Sequence, residues 1–372
     1  MLPSKVRPLL SGPPGHDHEE QEDFFSSFLA HLMPDEAPQC LGQPGHTLLY
    51  SSPVFGDLKL SVPDYAPKNL KDNTGVPSGG SKDENANVNI EISRQLFAHY
   101  LWVAALVLGD RLEEAALSER HIGTNQAPHL WSVKGHRVLE LGAGVALPSV
   151  LSILAGASAV TITDHPSSSA LYGAIQSNII DNVPGSLCQT KQGATKISIE
   201  PYQWGIFEGE EPPPHTLDSS TPPAVLNKMA QFATVNKASF SRIICVDCLW
   251  VWGEHVNLVR TLLWFLSSPL ISPSSSDNDN DNTNTNNDNS HVQVQPGRAW
   301  VVAGFHNGRE IVTSFFETAV AMGLVIEDIW ESDVNSPIPD TGARVTREWQ
   351  PVRDGEGPEN RARWCVVAIL RK

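Results

Sequence analysis

The segment from His136 to Pro166, "HRVLELGAGVALPSVLSILAGASAVTITDHP", constrains the fold more than any other part of the chain. A strand-like run ends in two glycines, Gly142 and Gly144; a helix-like run follows, and a second strand-like run closes on Asp164. Glycine at both places lets the backbone turn sharply and approach a ligand with no Cβ in the way. Pro148 suits the first turn of a helix, whose free N–H groups then face the same ligand.

The alternation continues to the C-terminus, which is the mark of a mostly parallel sheet covered by helices. Strands are predicted at "RVLELG", "AVTITD", "ISIEPYQW", "RIICVDCLW", "RAWVVAGF", "GLVIEDIWE" and "WCVVAILRK". Helices are predicted between them at "LPSVLSILAG", "SALYGAIQSNIIDN", "GEHVNLVRTLLWFLSS" and "GREIVTSFFETAVAMG". The expected class is α/β: a seven-stranded Rossmann-like sheet with helices on both faces. Ahead of it, "HTLLYSS" and "GDLKLSV" predict a hairpin turning between Pro53 and Gly56. The three- and four-residue spacing of Leu96, Tyr100, Val103, Val107 and Leu108 predicts a helix from Ser93 to Leu117. A hairpin and a helix therefore extend the sheet at its N-terminal side.

With 372 residues, 28 prolines and 27 glycines, the chain reads as one domain with insertions. Residues 1–45 are expected to be mostly disordered, with a short amphipathic helix at "EDFFSSFLAHLM". Residues 46–372 form the domain, with polar or Pro-rich insertions near 72–87, 209–225 and 272–291. A net charge of −16 excludes a nucleic-acid partner, which needs clustered Lys and Arg, and suits a basic partner or a small molecule. Five scattered cysteines do not form a disulfide framework, which suggests a reduced intracellular setting. No run is long enough for a signal peptide or a membrane span, so a soluble cytoplasmic or nuclear protein is expected.

The glycine unit discriminates between cofactors. Asp164, about 20 residues after the glycines, stands where a carboxylate accepts both hydroxyls of a ribose. A dinucleotide fingerprint wants a third glycine where this chain has Leu147, and a P-loop wants Gly-Lys-Ser/Thr, which is absent. Glu140, just before the turn, would repel a pyrophosphate but suits a cofactor carrying an amino group and a sulfonium. S-adenosyl-L-methionine fits these features better than a pyridine nucleotide, which stays the alternative.

These residues, with "LFAHYLWVAALVLGDRL", "YQWG" and "VDCLWVWGEHVNLVRTL", resemble the class I S-adenosylmethionine-dependent methyltransferases. Within them the nearest likeness is to the fungal nicotinamide N-methyltransferase-like branch that includes the elongation factor lysine methyltransferases. The resemblance runs from about Thr47 to the C-terminus and implies a sheet in the order 3-2-1-4-5-7-6 with the last strand antiparallel. It implies that Trp102 closes over the cofactor, that Gly142, Ala143 and Gly144 line its methionine part, that Asp164 holds its ribose, and that Trp204 lies beside its adenine. Val246 and Asp247 would sit near the methyl group. The branch's Asp-x-x-Tyr/Phe reads "DCLW" here, putting Trp250 where a smaller aromatic is usual. The insertions have no counterpart in the family pattern.

Methyl transfer to nitrogen needs a neutral acceptor, aligned with the sulfur–methyl bond and shielded from water. Asp247 is the candidate for orienting an amine, with Trp250 and Trp252 as aromatic walls. Asp247 could instead only cap the following helix, and the tryptophans could be core. "CVDC" on a strand would point Cys245 and Cys248 to opposite faces, with no second pair to complete a metal site. His306, after the fifth strand, could face the acceptor or be an idle loop residue. The sequence thus points to an N-methyltransferase, expected to be a monomer, acting on a protein lysine or N-terminal amine, with translation elongation factor 1-alpha the substrate the resemblance implies. A small-molecule acceptor such as nicotinamide, or cofactor or partner binding without catalysis, are the alternatives.

Overall fold

A computed structural model of the chain describes residues 2–9, 39–64, 99–121, 129–188, 194–210, 222–268, 296–335 and 344–372. The elements preceding the main sheet are β1 (Val6–Pro8), β2 (Cys40–Leu41), β3 (Thr47–Ser52), β4 (Gly56–Ser61), β5 (Leu101–Trp102) and α1 (Val103–His121). Then come β6 (Arg137–Leu141), α2 (Leu147–Leu154), β7 (Ala159–Asp164), α3 (Ala174–Asn182), β8 (Lys196–Pro201), α4 (Pro223–Val235) and β9 (Arg242–Val246). The chain ends with α5 (His255–Phe265), β10 (Arg298–Gly304), α6 (Arg309–Ala321), β11 (Val325–Asp333), β12 (Thr346–Glu348) and β13 (Trp364–Arg371).

The main sheet has the order β12-β11-β13-β10-β9-β6-β7-β8. Its seven long strands, numbered along the chain, therefore lie 3-2-1-4-5-7-6, with β13 antiparallel to both β10 and β11. The short β12 adds an eighth strand at the edge, which the sequence pattern did not predict. Period-two alternation assigns neighbouring residues to opposite faces. Val138, Val160, Ile162, Ile244, Trp300 and Val302 pack with α1, α2 and α3 on one face. Leu139, Ile243, Ala299, Val301 and Val366 pack with α4, α5 and α6 on the other. Burial on both faces is why the central strands read as continuous apolar runs.

The predicted hairpin is β3–β4, in register from Thr47↔Ser61 to Ser52↔Gly56. Several expectations change. The start of the chain is not wholly a free tail: β1 pairs with β3, Leu2 is fully buried, and Leu2 N–H donates to Val334 O at 3.0 Å. Of the helix expected from Ser93, residues 93–98 lie outside the described residues, and residues 99–102 are not helical; helix α1 begins at Val103. Trp102 pairs with Cys40 across β2 and β5, and Val103 N–H donates to Gln39 O at 2.8 Å, which holds His99 to Trp102 out of the helix. Helix α4 emerges where the Pro-rich insertion was expected to end, its buried Met229 and Ala233 facing the sheet. Cys245 and Cys248 do not diverge, because β9 stops at Val246 and Asp247 turns the chain with φ +49°; both thiols join the same core. The N-terminal amphipathic helix and the insertions near 72–87 and 272–291 lie outside the described residues, as does most of that near 209–225. Among the described residues no helix is long and apolar enough to cross a membrane, and no cluster of His, Cys, Asp or Glu is arranged to hold a metal ion.

Candidate active site

The parallel strands β6, β7, β9 and β10 all end on one edge, where β6 meets β9 and the chain order reverses, the place where open α/β sheets bind ligands. A cleft opens there. Its lining includes every residue the sequence assigned to the cofactor: Trp102, Glu140, Gly142, Ala143, Gly144, Asp164, Trp204 and Val246. Asp247 and Trp250 line it too.

The floor is the glycine turn. Gly142 and Gly144 have φ +66° and +51°, and Ala146 at the head of α2 is also left-handed, at +59°. A Cβ on Gly142 would lie 2.9 Å from Cys248 Sγ and 3.6 Å from Trp204 Cζ2, so only glycine fits between these walls. A Cβ on Gly144 would meet nothing within 4 Å; it borders open space on the cavity side. The turn is braced by two acids. Asp164 Oδ2 accepts from Gly144 N–H at 2.8 Å, and its Oδ1 accepts from His165 N–H at 2.7 Å. Glu140 Oε2 accepts from Ser149 N–H at 3.1 Å and from the Ser149 hydroxyl.

Glu140 is 1% exposed, and burial pushes its carboxyl up to about 8, against the opposing hydrogen bonds from Ser149. Through those hydrogen bonds it ties the strand end to the start of α2.

Asp247 sits at the tip of β9 in a left-handed conformation that is costly for a residue with a Cβ. Its N–H donates to Val302 O at 2.8 Å, and its Oδ1 accepts from Gly304 N–H at 2.8 Å. It does not cap α5. Burial raises its carboxyl to about 7, although the Gly304 hydrogen bond pulls the other way. An acid poised near neutrality at the end of the central strand can accept or release a proton under working conditions.

Trp102 lies against His306, ring centroids 4.8 Å apart and tilted by 30°. Trp252, in contrast to Trp250, is 67% exposed and stands outside the cavity. The Cys248 thiol donates to Leu141 O at 3.1 Å, and its neighbour Cys245 and burial together hold it well above the ordinary thiol range; it is a packing residue. Sequence reasoning named Trp204 of "QWG" but passed over Gln203, and named Asp247 but passed over Glu254; both are buried and line the cavity. Glu254 is fixed by Asn257 Nδ2, which donates to its Oε2 at 2.8 Å. Their signal was present in the quoted motifs, yet a side chain's direction at a strand end is not encoded by spacing.

No family model matches the sequence. Among curated proteins the chain is similar to the "protein N-terminal and lysine N-methyltransferase EFM7" of Eremothecium gossypii, 27% identical over 255 residues, 68% of this chain and 74% of that protein. The protein of the same name from Schizosaccharomyces pombe is 32% identical over 130 residues, 35% of this chain and 41% of that one. Among solved structures, an S-adenosylmethionine-dependent methyltransferase from Mesorhizobium loti aligns with 13% identity and a TM-score of 0.33, over 70% of this chain and 100% of the other.

Proposed function

We propose that this chain, a class I S-adenosylmethionine-dependent methyltransferase by its sheet order, its glycine turn and its curated relatives, methylates an amine of a protein, a lysine side chain or an N-terminal α-amine. The observation that carries the reading is the convergence of Gly142, Gly144, Asp164, Trp204 and the near-neutral acid Asp247 on one cavity at the strand ends. S-adenosylmethionine, when bound, supplies a methyl group on a sulfonium: the amine's lone pair forms the N–C bond as the C–S bond breaks, its electrons staying on sulfur.

The chain's own residues fit that role. Asp164 points a buried carboxylate into the cavity while anchoring Gly144, which suits a ribose. Trp204 offers a flat apolar wall for a purine. Asp247, in its carboxylate form, takes the proton that the acceptor nitrogen must lose, and the aromatic walls of Trp102 and Trp250 exclude water. The name shared by the fungal relatives supports a protein amine as acceptor, and the net charge of −16 suits a basic protein partner. Translation elongation factor 1-alpha, acting in the cytoplasm with this chain as a monomer, is the substrate assignment that the sequence resemblance favours.

The test is calorimetric titration of the purified protein with S-adenosylhomocysteine beside Asp164→Ala. Binding to the wild type that the variant loses is the expected result, followed by transfer of radioactive methyl groups from S-adenosylmethionine to lysate proteins. A well-folded wild type that binds NADH and not S-adenosylhomocysteine would overturn the reading.

A further inference from the structure

The buried acids Glu140, Asp164, Asp247 and Glu254 all line the cleft, and only Glu254 has no task in the chemistry above. It is 4% exposed and stands immediately before α5. Its carboxylate is fixed by Asn257, also buried, whose Nδ2 donates to Oε2 at 2.8 Å. The other side of the same amide presses on the turn that follows Trp204. Gly205 there has φ +82°, and a Cβ on it would lie 2.8 Å from Asn257 Oδ1. Gly205 N–H donates to Thr261 Oγ1 at 2.9 Å, and the Thr261 hydroxyl donates to Asn257 O at 2.8 Å, which closes the unit. Glu254 and Trp204 are thus set against each other through one side chain.

This unit lies at the purine end of the cleft. Asp164, which suits the ribose, is joined to the chain just before Trp204, because Tyr202 N–H donates to Asp164 O at 2.8 Å. Asp247 is anchored elsewhere, on Gly304 of β10, so the two acids serve different ends. Beside Glu254 the cleft is lined by Trp204, Cys248 and Val251, surfaces that suit a flat ring and leave its polar edge unanswered. A carboxylate only accepts hydrogen bonds, and its burial is costly unless donors meet it. The 6-amino group of adenine brings two N–H bonds, whereas the ribose hydroxyls are already matched by Asp164.

We propose that Glu254 selects the base of the cofactor: its carboxylate accepts from the 6-amino group of an adenine lying against Trp204, and Asn257 positions the acid for that contact. The inference rests on the reading that S-adenosylmethionine occupies the cleft, and adds to it a residue that distinguishes one purine from another. A base with a carbonyl at position 6, as in hypoxanthine, sets acceptor against acceptor and is rejected. Glu254 touches the cofactor away from its reacting atoms and takes no part in proton transfer.

The experiment is calorimetric titration of the full chain with S-adenosylhomocysteine and with S-inosylhomocysteine, which carries hypoxanthine in place of adenine. Wild type is expected to prefer S-adenosylhomocysteine by at least about tenfold. Glu254→Gln keeps the size of the side chain, but Asn257 Nδ2 claims the new amide oxygen and leaves the NH₂ group facing the base. That variant is expected to bind S-adenosylhomocysteine about tenfold or more weakly while keeping or gaining affinity for S-inosylhomocysteine. Combining Glu254→Gln with Asn257→Asp gives the amide an acceptor for its NH₂ group, turns its oxygen to the base, and should restore the preference for adenine. A merely structural role would move both affinities together. Equal losses for the two ligands in Glu254→Gln, or a wild type that binds both without preference, would overturn the assignment of Glu254. A double variant that does not regain the preference would overturn the role of Asn257. A well-folded wild type that binds neither ligand would remove the cofactor reading and this proposal together.

Discussion

At the scale of single residues, the site depends on a few positions where the backbone or a proton is held in an unusual state. Gly142 has both problems of space and of conformation, with φ +66° and Cys248 Sγ 2.9 Å from where a Cβ would be. Gly142→Ala is expected to lower stability by about 1–3 kcal/mol and to abolish S-adenosylhomocysteine binding. Adding Cys248→Ala should restore part of the stability by making room, while the left-handed strain stays. Chemical denaturation of the two variants checks this, and full recovery in the double variant would show that strain contributes nothing. Glu140 and Asp247 make a second prediction, because burial holds both above their ordinary carboxylate values, to about 8 and about 7. An acid whose folded value is raised binds more protons in the native than in the unfolded state between the two values. Stability contributed by Glu140 is therefore complete below about 4.5 and is lost as pH rises toward 8. Urea unfolding from pH 5 to 8 should show the decline, and Glu140→Gln should flatten it; a variant as steep as wild type would assign the slope elsewhere. Methyl transfer should show the opposite trend, rising through about 7 as Asp247 ionises, with Asp247→Asn losing the dependence. Gly142, Asp164 and Asp247 were legible because glycine and acid at strand ends have local spacing. The tie of Gln39 to Ala362, 323 residues away, was not, since no local spacing records it.

At the scale of elements, the strand ends are supported by a buried charge network under α6. Its first residue, Arg309, donates to Glu331 of β11 through both terminal nitrogens, at 2.7 and 2.8 Å. It also donates to Glu356 at 2.5 and 2.9 Å, and Arg347 of β12 reaches both acids at 2.6 Å. Glu331 is fully buried, so removing its charge leaves Arg309 and Arg347 with Glu356 as their one shared carboxylate in this network. Glu331→Gln is expected to cost about 3–5 kcal/mol, read by denaturant unfolding at neutral pH. Burial alone would raise these two carboxyls, but the hydrogen bonds and charges of Arg309 and Arg347 outweigh it and hold both below the ordinary value. For an acid lowered in this way, the stability is present above its unfolded value and is lost as pH falls through the folded one. Acid unfolding of Glu331→Gln should accordingly be less steep than that of wild type. The network explains what the sequence pattern missed: β12 is too short to show a period, and it exists because Arg347 is drawn to Glu331 and Glu356. The same reasoning applies to α1, whose apolar spacing runs on before Val103, whereas the pairing of Leu101 and Trp102 with Leu41 and Cys40 takes these two residues into a strand. Local periodicity cannot register a competitor so distant in the chain.

At the scale of the whole molecule, most of the sheet was legible, because strands buried on both faces leave apolar runs that the polar insertions do not imitate. What was not legible was attachment across long separations. The pairing of β1 with β3 and the ion pairs of Lys5 with Asp110, at 2.5 Å, and Glu113, at 2.8 Å, bring the start of the chain onto the domain, although its composition suggests a free tail. The Asn/Asp/Ser-rich tract invites the converse question, whether the fold needs it. Its flanks answer in part. Ser267 N–H donates to Phe240 O at 2.9 Å and Arg298 N–H to Ser241 O at 3.1 Å, so the chain leaves and re-enters beside two consecutive residues. A Cβ on Gly297 would lie 2.7 Å from Ser267 O, which places the two ends in contact. Residues 269–295 therefore span almost no distance, and the loop-closure entropy of so short a gap grows only slowly with the length of chain that bridges it. Replacing them with a four-residue Gly-Ser linker is expected to keep S-adenosylhomocysteine affinity and to raise stability by up to about 2 kcal/mol, measured by calorimetry and urea unfolding. Loss of cofactor affinity in that variant would mean that the tract reaches the site, and a large loss of stability would mean that it packs on the domain.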